Sequence, residues 1–303
     1  MGKRDGSPLA SPPTLPERAR LVVPVMAAAG GSARSTVAHL LADELARAAD
    51  TLVADLSPRL ASPWPALTAG AGLQAPGLAA LPPDRPLCRE DIRSAAAVRQ
   101  SAHGAWAVLT DAREWHAAPL DLPAEPAAWY QLAAAGGWQA LLADTSHPAA
   151  HDLIESRCSG APSLTRTWCA LPFSVPVLCA QSTAAGIQAL QQAVMVLNAE
   201  DMPLHRTVVV LAATADGRPP AVVRAAATML SVRAAAVIHL PYDPDIRANG
   251  LQAQPSRIRT RTRHAAGELA TAVLAAAREA FGDPLPDAPQ PATRPHSAPA
   301  LSV

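Results

Sequence analysis

A chain of 303 residues, half of them apolar, is long enough to bury one large core, yet no run of about eighteen uncharged apolar residues is present to span a bilayer. The 25 basic and 25 acidic residues cancel, which removes any global electrostatic case for nucleic acid and leaves only a local one. Cys88, Cys158, Cys169 and Cys179 show no C-x-x-C spacing, so reduced thiols in a cytosolic protein are expected in place of a disulfide framework or a metal cluster.

In chain order, residues 1–19 carry Pro8, Pro12, Pro13 and Pro16 among Ser and charge, which predicts a disordered leader. Lys3 and Arg4 have no apolar stretch behind them, so a signal peptide is not expected. Leu21 to Val25 predicts a strand. It runs into the small-residue turn Ala27 to Ser32 and then a helix whose Val37, Leu40, Leu41 and Leu45 recur at three- and four-residue steps. Strand, glycine turn and helix together form the local geometry that cradles a phosphate on backbone N–H groups. A standard phosphate loop carries a lysine just before its Ser/Thr. Here that position is Arg34, and the only lysine in the chain is Lys3. The remaining 24 basic residues are arginines and alanine dominates, a pattern of GC-rich coding bias.

A second strand, Thr51 to Ala54, ends at Asp55. Residues 57–137 read as an irregular insertion rich in Pro and Trp, with a short helix near 90–100, a strand Ala105 to Leu109 stopping before Asp111, and a helix near 125–135. Five of the six tryptophans fall between 64 and 138 and are expected to pack this insertion onto the sheet, a ligand-stacking surface being the sharper alternative. Trp138 to Ala143 is a strand ending at Asp144. Strands Val175–Ala180, Thr207–Ala212 and Ala235–Leu240 then alternate with helices over 183–198, 219–231 and 262–281. Such alternation predicts an α/β fold, a mainly parallel doubly wound sheet with helices on both faces. Residues 20–282 are thus expected to form a single domain and 283–303, with six prolines, a disordered tail.

In open α/β sheets ligands bind beyond the carboxyl ends of the strands, which places Asp55, Asp144 and Asp111 beside the 27–36 loop. An aspartate ending an apolar strand in a phosphate-loop protein holds the metal or its water shell, and Ser35 at the head of the helix can ligate Mg²⁺ through its hydroxyl. His147 reads first as a turn or capping residue and second as a member of the site.

Four segments resemble the ParA/MinD family of deviant Walker A ATPases, P-loop NTPases. The family's K-G-G-x-x-K-[ST]-T loop is similar to Ala29-Gly30-Gly31-Ser32-Ala33-Arg34-Ser35-Thr36. Its D-x-D-P segment is similar to Ala54-Asp55-Leu56-Ser57-Pro58, and its D-[TC]-x-P segment to Asp144-Thr145-Ser146-His147-Pro148, with the proline one place late. Its segment beside the nucleotide base resembles Ile238-His239-Leu240-Pro241-Tyr242-Asp243-Pro244-Asp245-Ile246-Arg247. The resemblance implies ATP on Gly30, Gly31, Ser32, Ala33, Arg34, Ser35 and Thr36, with Pro241 and Asp243 near the base and Asp243 also a turn former. It further implies Mg²⁺ on Ser35 and Asp144, Asp55 positioning water or metal, a homodimer, and protein partners in positioning, partitioning, secretion or transfer.

The departures from the family pattern set the expected activity. Arg34 stands for the lysine on the bound phosphates, and its planar fork is bulkier than an ammonium. Ala29 stands for the lysine that reaches a partner subunit's nucleotide, and Ala212 falls near the asparagine that reads adenine. Ala33 replaces a glycine, costing about 1–2 kcal/mol if that residue is left-handed. Losing one preorganised charge costs roughly 100- to 1,000-fold in rate, so the expected protein is a nucleotide-binding or formerly nucleotide-binding module with weak or absent hydrolysis. One alternative is a working ATPase using Arg34. Another is a dinucleotide-binding Rossmann enzyme, with Asp55 on a ribose but no G-x-G-x-x-G. Around Ser32 no G-x-S-x-G supports a hydrolase. Arg257, Arg259, Arg261 and Arg263 alternate before the last helix and form either a solvated face or a phosphate-binding stripe for nucleic acid. The Pro-rich end argues against a MinD-type membrane helix.

Overall fold

The computed structural model describes residues 14–70 and 75–289. Eight strands form one sheet: β1 (Leu21–Ala27), β2 (Thr51–Asp55), β3 (Ala97–Ser101), β4 (Gly104–Leu109), β5 (Ala140–Pro148), β6 (Val177–Gln181), β7 (Val208–Ala212) and β8 (Ala236–Leu240). Their spatial order is β3-β4-β2-β5-β1-β6-β7-β8. Every pairing is parallel except β3 with β4.

The central strands are apolar without interruption because both faces are covered. Leu21, Val23, Val25, Val53, Leu142 and Val177 pack on one side under α1 (Arg34–Leu45) and α10 (Thr260–Phe281). Alternate residues point the other way. Val22, Leu52 and Leu141 meet α3 (Arg89–Ala95), α4 (Pro126–Gly136) and α6 (Leu164–Ala170). Leu178, Val209 and Leu211 meet α5 (Ala149–Ser159), α7 (Ala184–Ala199) and α8 (Ala221–Leu230). Two shorter helices, α2 (Trp64–Gly70) and α9 (Pro244–Asn249), lie in the connections after β2 and β8. No helix among the described residues is long and apolar enough to cross a membrane.

Several expectations are corrected. Within the stretch 57–137, β4 pairs in parallel with β2 at the place of the expected strand, and β3, unexpected from the sequence, closes that edge as a hairpin. Alanines 95–97, which favour helix in isolation, here end α3 and begin β3. Trp64, Trp106, Trp129 and Trp138 are buried, while Trp115 is 75% exposed. Strand β5 continues past Asp144 to Pro148, and α5 and α6 fill a segment without a sequence assignment. Within the described parts of the leader and tail, the chain is packed. Leu15 is buried and donates its N–H to Ala48 O at 2.8 Å, while Leu285 and Ala288 are buried and Ala288 N–H donates to Arg18 O at 2.8 Å. Residues 1–13 and 290–303 of the expected leader and tail lie outside the described residues.

Candidate functional site

The site forms where β1 and β5 end beside the head of α1. Gly31 (φ 70°) and Ala33 (φ 60°, ψ 24°) are left-handed, and these two turns fold the loop back over the helix axis. Ala33 therefore carries the strain expected of a non-glycine residue at this position. It also leaves α1 without a side-chain cap. Among the described residues the N–H groups of Gly30 to Thr36 find no acceptor within the chain, so the positive end of the helix is unsatisfied. Ser32 is buried and spends its hydroxyl on Ala29 O at 2.5 Å. The loop from Ala29 to Thr36, with Ser146 and Pro148, lines a hollow of about 340 Å³.

A second hollow of about 430 Å³ shares Gly31, Ala33 and Thr36 with the first and runs along Gln181, Ala213, Tyr242 and Arg247. Gln181 Nε2–H donates to Gly31 O at 2.9 Å and ties β6 to the loop. Pro241 and Asp243 line this hollow as expected, and so does Ala212. The Asp243 carboxylate, however, is already committed. It caps α9 through the N–H groups of Asp245 and Ile246, and accepts from Arg259 N–H at 2.9 Å and Thr262 Oγ1–H at 2.9 Å. Asp243 is therefore the cap of α9 as well as part of the wall of this hollow.

Asp55 and Asp144 are register partners on adjacent strands. Asp144 is fully buried. Its Oδ1 accepts from Arg34 Nε–H at 3.1 Å and its Oδ2 from Trp64 Nε1–H at 2.8 Å. Burial pushes its carboxyl up, while Ser35, Trp64 and the Arg34 guanidinium oppose that shift. Asp55 is 2% exposed. Ser62 and Thr110 hydroxyls donate to its Oδ2 at 2.6 and 2.7 Å, and Ser57 N–H to its Oδ1 at 3.1 Å. Desolvation nevertheless pushes the Asp55 carboxyl up to about 6, with Asp144 adding a smaller repulsive contribution. Asp111 turns out of the crevice and pairs with Arg59 at 3.2 Å and Arg113 at 2.8 Å. His147 Nε2 lies 3.2 Å from Thr165 Oγ1, while its neighbours Ser146 and Pro148 line the hollow.

The two residues expected to hold magnesium, Ser35 and Asp144, lie together, and Asp144 is already engaged by other donors. Asp144 already accepts an N–H on each oxygen and is also bonded by the Ser35 hydroxyl, so a metal would compete with three donors for its lone pairs, and the Asp55 oxygens are engaged by hydroxyls and a backbone amide. The basic stripe is also altered. Arg259 and Arg261 both pair with Asp216, and Arg263 donates to Pro255 O and Thr260 Oγ1 at 3.3 Å, so two of the four expected phosphate contacts are internally neutralised.

Sequence reasoning missed Trp64, Gln181 and the pair of hydroxyls on Asp55. Only the Trp-rich composition of 57–137 hinted at the first, and the others carried no motif.

No protein-family model matches the sequence, and no curated protein sequence does. Solved structures do. The ParA family ATPase from Chlorobium tepidum TLS is 14% identical, with 84% of this chain and 99% of that chain covered at a TM-score of 0.52. The MinD cell division protein of Aquifex aeolicus is 13% identical, with 88% of this chain and 99% of that chain covered at a TM-score of 0.50. With its eight-stranded, mainly parallel sheet and a glycine loop at the head of its first helix, the chain has the ParA/MinD ATPase fold.

Proposed function

We propose that this protein binds a nucleotide in the loop hollow, hydrolyses it weakly or not at all, and acts through partner proteins in positioning or partitioning. The observation that carries the reading is the pairing of an intact anion-receptive loop with a dismantled charge set. The unsatisfied N–H groups of Gly30 to Thr36 and the helix dipole need no lysine to attract phosphate. The adjoining hollow beside Pro241 and Tyr242 gives a base a place to lie, and its volume is ordinary for a small-molecule site. Turnover is a different matter. Ala29 brings no cation to a partner's phosphates, and the one loop cation, Arg34, is held by its Nε on Asp144. Asp55 has its oxygens engaged by hydroxyls and an amide, which weakens it as a base for an attacking water. A partner would therefore read the bound state itself, in a homodimer or a hetero-complex.

Melting of the full chain with ATP, ADP, GTP and NAD tests this, since a ligand that prefers the native state raises the melting temperature by mass action. ATP or ADP should raise it, and phosphate release should stay at background. Sustained release that Asp144→Ala or Asp55→Ala abolishes would instead establish a working ATPase. No shift with any nucleotide would end the proposal.

A further inference from the structure

The Asp144 carboxylate sits where the fold leads one to expect a metal ligand, and its surroundings serve a different purpose. Its two oxygens face Arg34 Nε and Trp64 Nε1, and it has no exposed surface. Ser35 bonds to the same carboxylate, and Mg²⁺, which demands near-octahedral oxygen ligands, would have to compete with these three donors for its lone pairs. Trp64 is poorly placed to leave. Its ring is fully buried and packs edge-on against His39 and Trp106, with centroids 6.3 and 6.1 Å away. Those two rings lie 5.6 Å from each other, so the three form a closed cluster.

Arg34 is placed differently. Only its Nε is spent on Asp144, and its terminal nitrogens have no acceptor among the described residues. The side chain is 18% exposed and lines the loop hollow. A guanidinium has five N–H donors in a rigid fork, so it can rest on a buried carboxylate through one edge and present the other to a phosphate.

We infer that Asp144 anchors Arg34 and Trp64 in place of a metal, and that the loop takes its phosphate-bearing ligand with no divalent cation, Arg34 supplying the positive charge. The ligand half of this rests on the nucleotide reading above; the anchor half does not. Two measurements on the full chain separate them. The first is calorimetric titration with ADP in Mg²⁺ and in EDTA. The affinities should agree within about twofold, because the cation is built into the chain. A gain of about tenfold or more in Mg²⁺ overturns the inference and leaves the nucleotide reading intact. The second is thermal unfolding of Asp144→Asn without ligand. Asparagine cannot neutralise Arg34, and breaking a buried pair is strongly destabilising, so the variant should melt roughly 5 °C or more below the wild type. Melting at or above the wild type overturns the inference, because a carboxylate kept for a metal only repels Asp55 when the metal is absent. If ADP binds in neither buffer, the nucleotide reading falls and the Asp144→Asn comparison alone decides the anchor.

Discussion

Replacing His39 with leucine should make the protein less sensitive to acid. His39 lies in α1, one turn past Ser35, and is 3% exposed. Trp64 and Trp106 pack edge-on against it, and its Nε2 finds no hydrogen-bond partner among the described residues. Burial, with a smaller contribution from the charge of Arg99, lowers its pKa to about 3. The unfolded chain therefore binds the proton first. Between the unfolded value near 6.5 and the folded value, stability rises with pH and is lost as pH falls. The linkage relation gives a loss of about 2 kcal/mol at pH 5 and about 3 kcal/mol at pH 4, relative to pH 7.5. Urea titrations of wild type and His39→Leu at pH 7.5, 6, 5 and 4 isolate this contribution, because every other titrating group cancels in the difference. The variant should gain on the wild type by those amounts as pH falls. A difference that stays constant across the range would show that His39 is hydrated or partnered, and would refute the packing argument for the Trp64 cluster as well.

Asp55 should act with the opposite sign. Its folded pKa, about 6, is raised above its unfolded value, so the native state holds its proton longer and its contribution to stability is lost as pH rises between roughly 4 and 6. Asp55→Asn should gain on the wild type by about 2 kcal/mol between pH 4 and pH 7 in the same urea assay, and a gain in the acid direction would contradict the desolvation argument. At the loop, Ala33→Gly removes the cost of a left-handed alanine but adds backbone freedom to the unfolded chain, leaving a net stabilisation of about 0.5–1 kcal/mol. A thermal melt checks it, and a lower melting temperature would mean that the Ala33 methyl contributes more through packing than its backbone costs.

The parts of this fold that were legible in the sequence are those whose local chemistry and tertiary role coincide. Strands β1, β2 and β7, β6 up to Ala180 and the first half of β5 are buried on both faces, so their sequences are mainly apolar runs. Asp55 and Asp144 could be placed because a charge that ends such a run must sit at the carboxyl edge of the sheet. Strand β3 was not legible. It is an edge strand with alternating exposure, and its leading alanines carry a helical propensity that only the pairing with β4 overrides. The termini misled for a related reason. Leu15, Leu285 and Ala288 are lone apolar residues among prolines, too sparse to show a period, yet each finds a buried place. Trp64 and Asp144 are 80 residues apart, and no local pattern encodes their hydrogen bond. The direction of Arg34 is a rotamer choice that only the position of Asp144 decides.

Arginine in place of the loop lysine is best understood through that choice. A lysine ends in one compact ammonium, which must serve either the acid behind it or the phosphate in front of it. An arginine has an Nε set back along its stem, and here that atom alone meets Asp144 at 3.1 Å. The remaining fork is left at the hollow, fixed by the carboxylate it rests on. Trp64 holds the other oxygen of the same carboxylate, so the loop, β5 and the segment after β2 converge on one buried acid. Preorganisation of this kind favours binding, because the cation loses little further freedom when a phosphate arrives. Under the proposed function it would also oppose catalysis, since a guanidinium fixed on Asp144 does not shift to follow charge as a bond breaks. On the function proposed above, the feature of the sequence that resembles a damaged ATPase most closely is an arginine resting by one edge on a buried acid, with its fork left for a ligand.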